Sequence, residues 1–107
     1  MASSVIKNTM AWKLKGTATG KTAITMPTDF NEILLVGKMG AYYWTSVVPK
    51  DEISDTAILP RSASYYNASA NAFITWRVTT SAMRLEMCSE NSGTDRTSAT
   101  TVKLYYR

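Results

Sequence analysis

Four residues come close to a phosphate-binding loop: Gly16, Gly20, Lys21 and Thr22 stand in the order G-x-x-x-G-K-T. The nucleotide-binding form needs four residues between its glycines, so that consecutive backbone N–H groups close around a phosphate. Only three are present here, and the missing residue re-aims every later amide. The flanks oppose that chemistry as well. A phosphate loop runs from a buried strand into a helix, whereas Thr22-Ala23-Ile24-Thr25-Met26-Pro27 is β-branched, alternates in polarity and stops at proline. Upstream, Met10, Trp12 and Leu14 alternate with Ala11, Lys13 and Lys15. The spacing therefore predicts two strands joined as a hairpin through residues 16–22, leading into a third.

Other catalytic chemistries meet similar obstacles. The chain has no histidine, which removes the usual general base and commonest metal ligand, and with them Ser-His-Asp, Cys-His and zinc-hydrolase arrangements. Its single cysteine, Cys88, forms no internal disulfide and reads as a half-buried free thiol at the end of an alternating run. Asp51, Glu52 and Asp55 offer carboxylate oxygens of the kind calcium takes, but without the D-x-D-x-D-G spacing, so they read as a solvated acidic loop. A glycosidase needs two carboxylates facing each other across a sugar. Asp29 with Glu32, or Glu86 with Asp95, supply such pairs only if the fold joins them. The expectation is a protein that is not an enzyme, with no cofactor and no metal site.

The aromatic residues are the better candidates for function. Neighbours on a strand point to opposite faces, so the pairs Tyr42/Tyr43, Tyr65/Tyr66 and Tyr105/Tyr106 cannot all be core. Tyr42, Tyr43, Trp44, Tyr65, Tyr66 and Tyr105 are thus the candidate residues for a subunit interface or for stacking on sugar rings, since Tyr and Trp join apolar area to a polar handle. Net charge is +4, which raises nucleic acid as a partner. The twelve basic residues are scattered singly, however, and a mildly basic solvated surface is the stronger expectation. A sheet that gathered Lys13, Arg77, Arg84 and Lys103 on one outer face would reverse that ranking.

A chain of 107 residues, 45% hydrophobic and 19% charged, makes one folded domain with a real core. Residues 1–8 read as an N-terminal tail and residues 9–107 as a single β domain. Ser and Thr make up roughly a quarter of the chain, a composition that suits short polar-faced strands. Ile33, Leu34, Leu35 and Val36 are apolar on both faces and mark a central strand. Gly37 to Gly40 is expected to bend the chain into residues 41–48, where Tyr42, Trp44 and Ser46 share one face and Tyr43, Thr45 and Val47 the other. A short strand is expected over 56–59, and residues 62–71 give no clear pattern. In residues 72–79 the inward set is Ile74, Trp76 and Val78; in residues 82–88 it is Met83, Leu85 and Met87. Residues 90–98 read as a long hairpin loop, followed by a final strand with Val102, Leu104 and Tyr106 inward. About eight short strands without a helix predict an antiparallel β-sandwich of jelly-roll-like form. No apolar run reaches the length of a membrane span and the first residues have no signal-peptide core. Synthesis in a cytoplasm without membrane insertion is expected.

Three segments carry a resemblance: Trp12-Lys13-Leu14-Lys15-Gly16; Ile24 through Val36 with its I-x-M-P and Asp29-Phe30-Asn31-Glu32 turn; and the closing Val102-Lys103-Leu104-Tyr105-Tyr106-Arg107. Over about a third of the chain they resemble small structural modules of tailed bacteriophages, of the kind found in tail fibres, head fibres and baseplate appendages. That resemblance implies a non-enzymatic β-sandwich of the virion, made in the host cytoplasm. It also implies a homo-oligomer, with a trimer favoured, that decorates the particle beside other virion proteins or contacts the host surface, where exposed Tyr and Trp suit host surface carbohydrate. The matching residues are scaffold positions, so no binding residue follows from them. The alternative, from another class, is a small basic β-domain that binds single-stranded nucleic acid through outer-face cations and stacked aromatics.

Overall fold

Period-two alternation becomes two four-stranded antiparallel sheets packed face to face. The structure, a computed structural model, describes residues 11–67 and 70–107, the side chains of Tyr66 and Asn67 excepted. The predicted tail over residues 1–8, and Met10 of the first predicted strand, lie outside the described residues. In chain order the strands are β1 Lys13–Thr19, β2 Ile24–Thr25, β3 Glu32–Met39, β4 Tyr42–Pro49, β5 Arg61–Asn67, β6 Ala70–Val78, β7 Ala82–Glu90 and β8 Thr101–Tyr106. Single 3-10 turns at Lys50–Glu52 and Thr97–Ala99 are the helical elements among the described residues. The first sheet has the order β1-β8-β3-β4 and the second β2-β7-β6-β5. The nested pairs β1·β8 and β2·β7 give the wrapping of a jelly roll, while β3–β4, β5–β6 and β6–β7 close as hairpins within their own sheets.

This topology corrects the expected first hairpin. β1 pairs with β8 and β2 pairs with β7, so residues 20–23 carry the chain from one sheet to the other. Gly16 lies inside β1 rather than in a turn, at a bulge where the register slips between Leu14 and Gly16. The bulge ends the alternation that placed Leu14 inward: Leu14 is 55% exposed and Ala18 packs on the core instead. Gly20 makes the actual turn with φ +66°, donating its N–H to the Thr100 carbonyl at 2.9 Å. Residues 91–100 likewise cross between sheets instead of closing a hairpin, because β7 and β8 lie in different sheets.

β3 occupies the interior place in the first sheet that its two apolar faces predict, between β8 and β4. Ile33, Leu35, Trp44, Val102 and Leu104 from this sheet meet Ile74, Trp76, Val78, Met83 and Leu85 from the other, all buried. Gly37 does not bend the chain. It sits inside β3, and a Cβ there would lie 2.5 Å from Ile74 Cδ1 and 3.0 Å from Trp76 Cη2. The bend falls at Gly40, with φ +59°. A further correction concerns β7, where Thr75 pairs with Met87 but Trp76 pairs with Leu85. Glu86 is the extra residue of that bulge, and it reverses the phase: Met87 is 52% exposed and Cys88 is fully buried. The strand expected over 56–59 is reduced to a bridge between Ile58 and Val78, and the patternless stretch that follows supplies β5.

Candidate functional site

The outer face of the first sheet can be assembled from the strand register. Leu14 on β1 stands opposite Tyr105 on β8, Tyr105 opposite Leu34 on β3, and Leu34 opposite Val47 on β4. Side chains at paired positions share a face, so these four form one apolar row across every strand of the sheet. Leu14 is 55% exposed and Val47 is 52% exposed, while Leu34 and Tyr105 are half-buried between them. The next row reads Thr17, Lys103, Val36 and Thr45, and the one beyond it Thr19, Thr101, Lys38 and Tyr43.

Tyr43 and Tyr105 border a groove of about 290 Å³ with Val36 in its floor and Lys38, Lys103 and Thr101 along its sides. Neither lysine belongs to an ion pair among the described residues. On the side of the apolar row away from the groove, the next row along the strands is charged. Arg107 sets its guanidinium 4.0 Å from the Trp12 ring and donates Nε–H to Glu32 Oε1 at 2.7 Å.

The six predicted aromatic candidates therefore separate. Tyr43, 58% exposed, and Tyr105 come together on this face. Trp44 is the opposite case, a core residue whose indole N–H donates to the Ala72 carbonyl at 3.3 Å, with Tyr42 stacked beside it at 6.1 Å. Trp44 is buried and Tyr42 half-buried against the core, because even positions of β4 face the second sheet. Tyr65 is exposed on β5 at the edge of the other sheet, and the Tyr66 side chain lies outside the described residues.

Lys13, Arg77, Arg84 and Lys103 do not gather on one outer face. Lys103 lies on the outer face of the first sheet, whereas Arg77 and Arg84 flank Glu86 on the second, at 3.9 and 3.4 Å. Lys13 sits 6.0 Å from the Tyr106 ring. Among the carboxylates, Glu32 is engaged by Arg107 and Asp55 accepts from the Thr80 hydroxyl. Asp95 accepts from the backbone N–H and the hydroxyl of Thr97, at 2.9 and 2.6 Å. Those bonds hold the Asp95 carboxyl below its ordinary range. Among the described residues, no group of three or more Asp, Glu or Cys is placed to hold a metal ion. Burial pushes the Cys88 thiol up, against a weaker opposing hydrogen bond with Thr100.

Two features escaped the sequence. Leu14, Leu34 and Val47 form a row only because of the β1·β8·β3·β4 pairing, which local patterns do not encode. A cleft of about 520 Å³ at the end of the sandwich, walled by the β2–β3 link, the Lys50–Glu52 turn and the β6–β7 turn, draws on three separate loops. Asp29-Phe30-Asn31 and Lys50-Asp51 were its only local signals, and each reads by itself as turn chemistry. Comparison with protein families, curated protein sequences and solved structures finds no match. No helix among the described residues is long and apolar enough to cross a membrane.

Proposed function

We propose that this chain is a non-enzymatic structural module of a bacteriophage virion. It self-associates through the outer face of its first sheet as a homo-oligomer, with a trimer the favoured form, and contacts host surface carbohydrate. One observation carries the self-association: the row Leu14, Tyr105, Leu34 and Val47 crosses a whole sheet face, with Leu14 and Val47 exposed and Leu34 and Tyr105 half-buried between them. Isolated surface apolar residues are ordinary, but a contiguous row on a flat sheet is the mark of an interface. The segments resembling phage modules cover the start of β1, the first half of β3 and most of β8 in this sheet, as well as β2 in the other.

Equilibrium sedimentation tests the proposal. Val47→Lys, at a position 52% exposed in the single chain, should disperse the assembly into folded single chains, with the apparent melting temperature falling only by what association contributes, and Tyr65→Ala should leave it intact. An assembly indifferent to Val47→Lys sinks this interface.

A second reading rests on the groove itself, where Lys38 and Lys103, in no ion pair among the described residues, stand beside Tyr43 and Tyr105. Single-stranded nucleic acid uses that combination of cation and stacking ring. An oligonucleotide complex that weakens steeply between low and physiological salt would favour it, and no binding at low salt removes it.

A further inference from the structure

The end of the sandwich carries a preformed cup. Three loops meet there, and each is hydrogen-bonded to the other two. Met26 N–H donates to the Ser81 carbonyl at 3.1 Å, Lys50 N–H to Asn31 at 2.9 Å, and Thr80 N–H to Ser54 at 3.1 Å. A side-chain bond from Thr80 to Asp55 adds a fourth tie. This closed ring of tethers fixes the loops before any ligand arrives, which lowers the ordering cost of binding.

The lining is amphipathic in a particular way. Phe30 and Ile53 form an apolar base seated on the core. Lys50 holds its ammonium 5.2 Å from the Phe30 ring centroid. Asp51, next to it, is exposed, and neither residue enters an ion pair among the described residues. Thr28 and Thr80 add hydroxyls at the rim. One apolar face, a carboxylate, an ammonium and two hydroxyls match a pyranose, whose C–H face lies on a ring while neighbouring hydroxyls donate to the carboxylate and accept from the ammonium. The carboxylate opposes polyanions, which separates this cup from the lysine groove on the sheet face.

We propose that this cup binds a neutral pyranose unit of a surface saccharide: the Lys50 ammonium, now over the Phe30 ring, swings aside to meet the sugar's hydroxyls together with Asp51, and the sugar's C–H face takes its place on the ring. Two smaller clefts, of about 150 and 170 Å³, adjoin it around the same 27–31 loop. They give room for flanking sugars, so the ligand is an oligosaccharide read at one unit. The site lies at the loop end, off the outer face of the first sheet, and assembly through that face leaves it open. The inference rests on the carbohydrate half of the function proposed above and moves the contact from the exposed tyrosines to the loops.

Backbone amide spectra of the full chain test it, titrated separately with glucose, galactose, N-acetylglucosamine, glucuronate and a short oligothymidine. The expected result is saturable shifts with a neutral sugar at Thr28, Phe30, Lys50, Asp51, Ile53 and Thr80. Asp51→Asn and Lys50→Gln should each weaken it about tenfold, the loss of one well-placed contact, and Tyr43→Ala should not. Both substitutions are at exposed positions, so folding is not at stake. Shifts confined to Lys38, Tyr43 and Lys103 with a neutral sugar would overturn the cup and leave carbohydrate binding standing. No shift with any sugar would overturn both, and shifts with oligothymidine alone would overturn both in favour of the nucleic-acid reading.

Discussion

Gly37→Ala is the smallest change that tests how the two sheets fit. Gly37 faces inward from β3, and its absent Cβ is the space into which Ile74 and Trp76 extend. An added methyl would stand 2.5 Å from Ile74 Cδ1 and 3.0 Å from the Trp76 ring, and both side chains are fully buried. Overpacking of a close-packed core costs about 1–3 kcal/mol. Two tight contacts, one against a rigid indole, place this case near the top of that range. Replacing glycine within a strand returns about 0.5–1 kcal/mol of backbone entropy, leaving a net loss of about 2 kcal/mol. For a domain of this size that is roughly 10 °C in melting temperature. Thermal unfolding followed by tryptophan fluorescence measures it. Ile74→Val deletes the Cδ1 atom and by itself costs about 0.5–1.5 kcal/mol. In the double variant the two losses should fall short of additivity by about 1 kcal/mol, since the worst contact is gone. A melting temperature that rises in Gly37→Ala, or strict additivity in the cycle, refutes this packing.

Thr97→Val removes a hydroxyl that donates to Asp95 and accepts the Cys88 N–H at 3.0 Å; it should cost about 1–3 kcal/mol in urea unfolding, because a buried N–H is left without its partner. Asp95 has its folded pKa depressed by Thr97, so its contribution is present above the unfolded carboxylate range and lost as pH falls through the folded value. The stability gap between wild type and Asp95→Asn, read by denaturation at a series of pH values, should therefore close on acidification. Cys88 shows the opposite sign, since burial raises its pKa. Its contribution holds below the unfolded thiol range and fades as pH climbs above roughly 8.5. Wild type should lose stability more steeply than Cys88→Ala in that window, and the native thiol should resist alkylating reagents at neutral pH.

The class of fold was legible because its signal is local. Alternation in residues 72–79 placed Ile74, Trp76 and Val78 inward, and the doubly apolar Ile33 to Val36 marked an interior strand; both hold in the structure. What was not legible is the pairing between distant strands. Residues 16–22 look like a hairpin link in sequence, yet β2 finds β7 as its partner and β1 finds β8. Bulges add a second blind spot. One extra residue at Glu86 turned Met87 outward and Cys88 inward, and the slip near Lys15 exposed Leu14. The candidate site suffers most, since the apolar row needs four strands in register and the loop cup needs three separate turns. Of the predicted aromatics, Tyr43 and Tyr105 meet because odd positions of β4 and β8 share the outer face, and Trp44 does not because it has the other parity.

As proposed above, the outer face of the first sheet meets further copies of this chain. The most direct measurement of this is the molar mass of the wild-type protein by light scattering across a range of concentrations, beside Leu14→Lys and Val47→Lys. The wild type should show a stable multiple of the single-chain mass, three chains in the favoured form, and both variants should shift toward single chains. A wild-type protein that keeps the mass of one chain at every concentration contradicts the proposal.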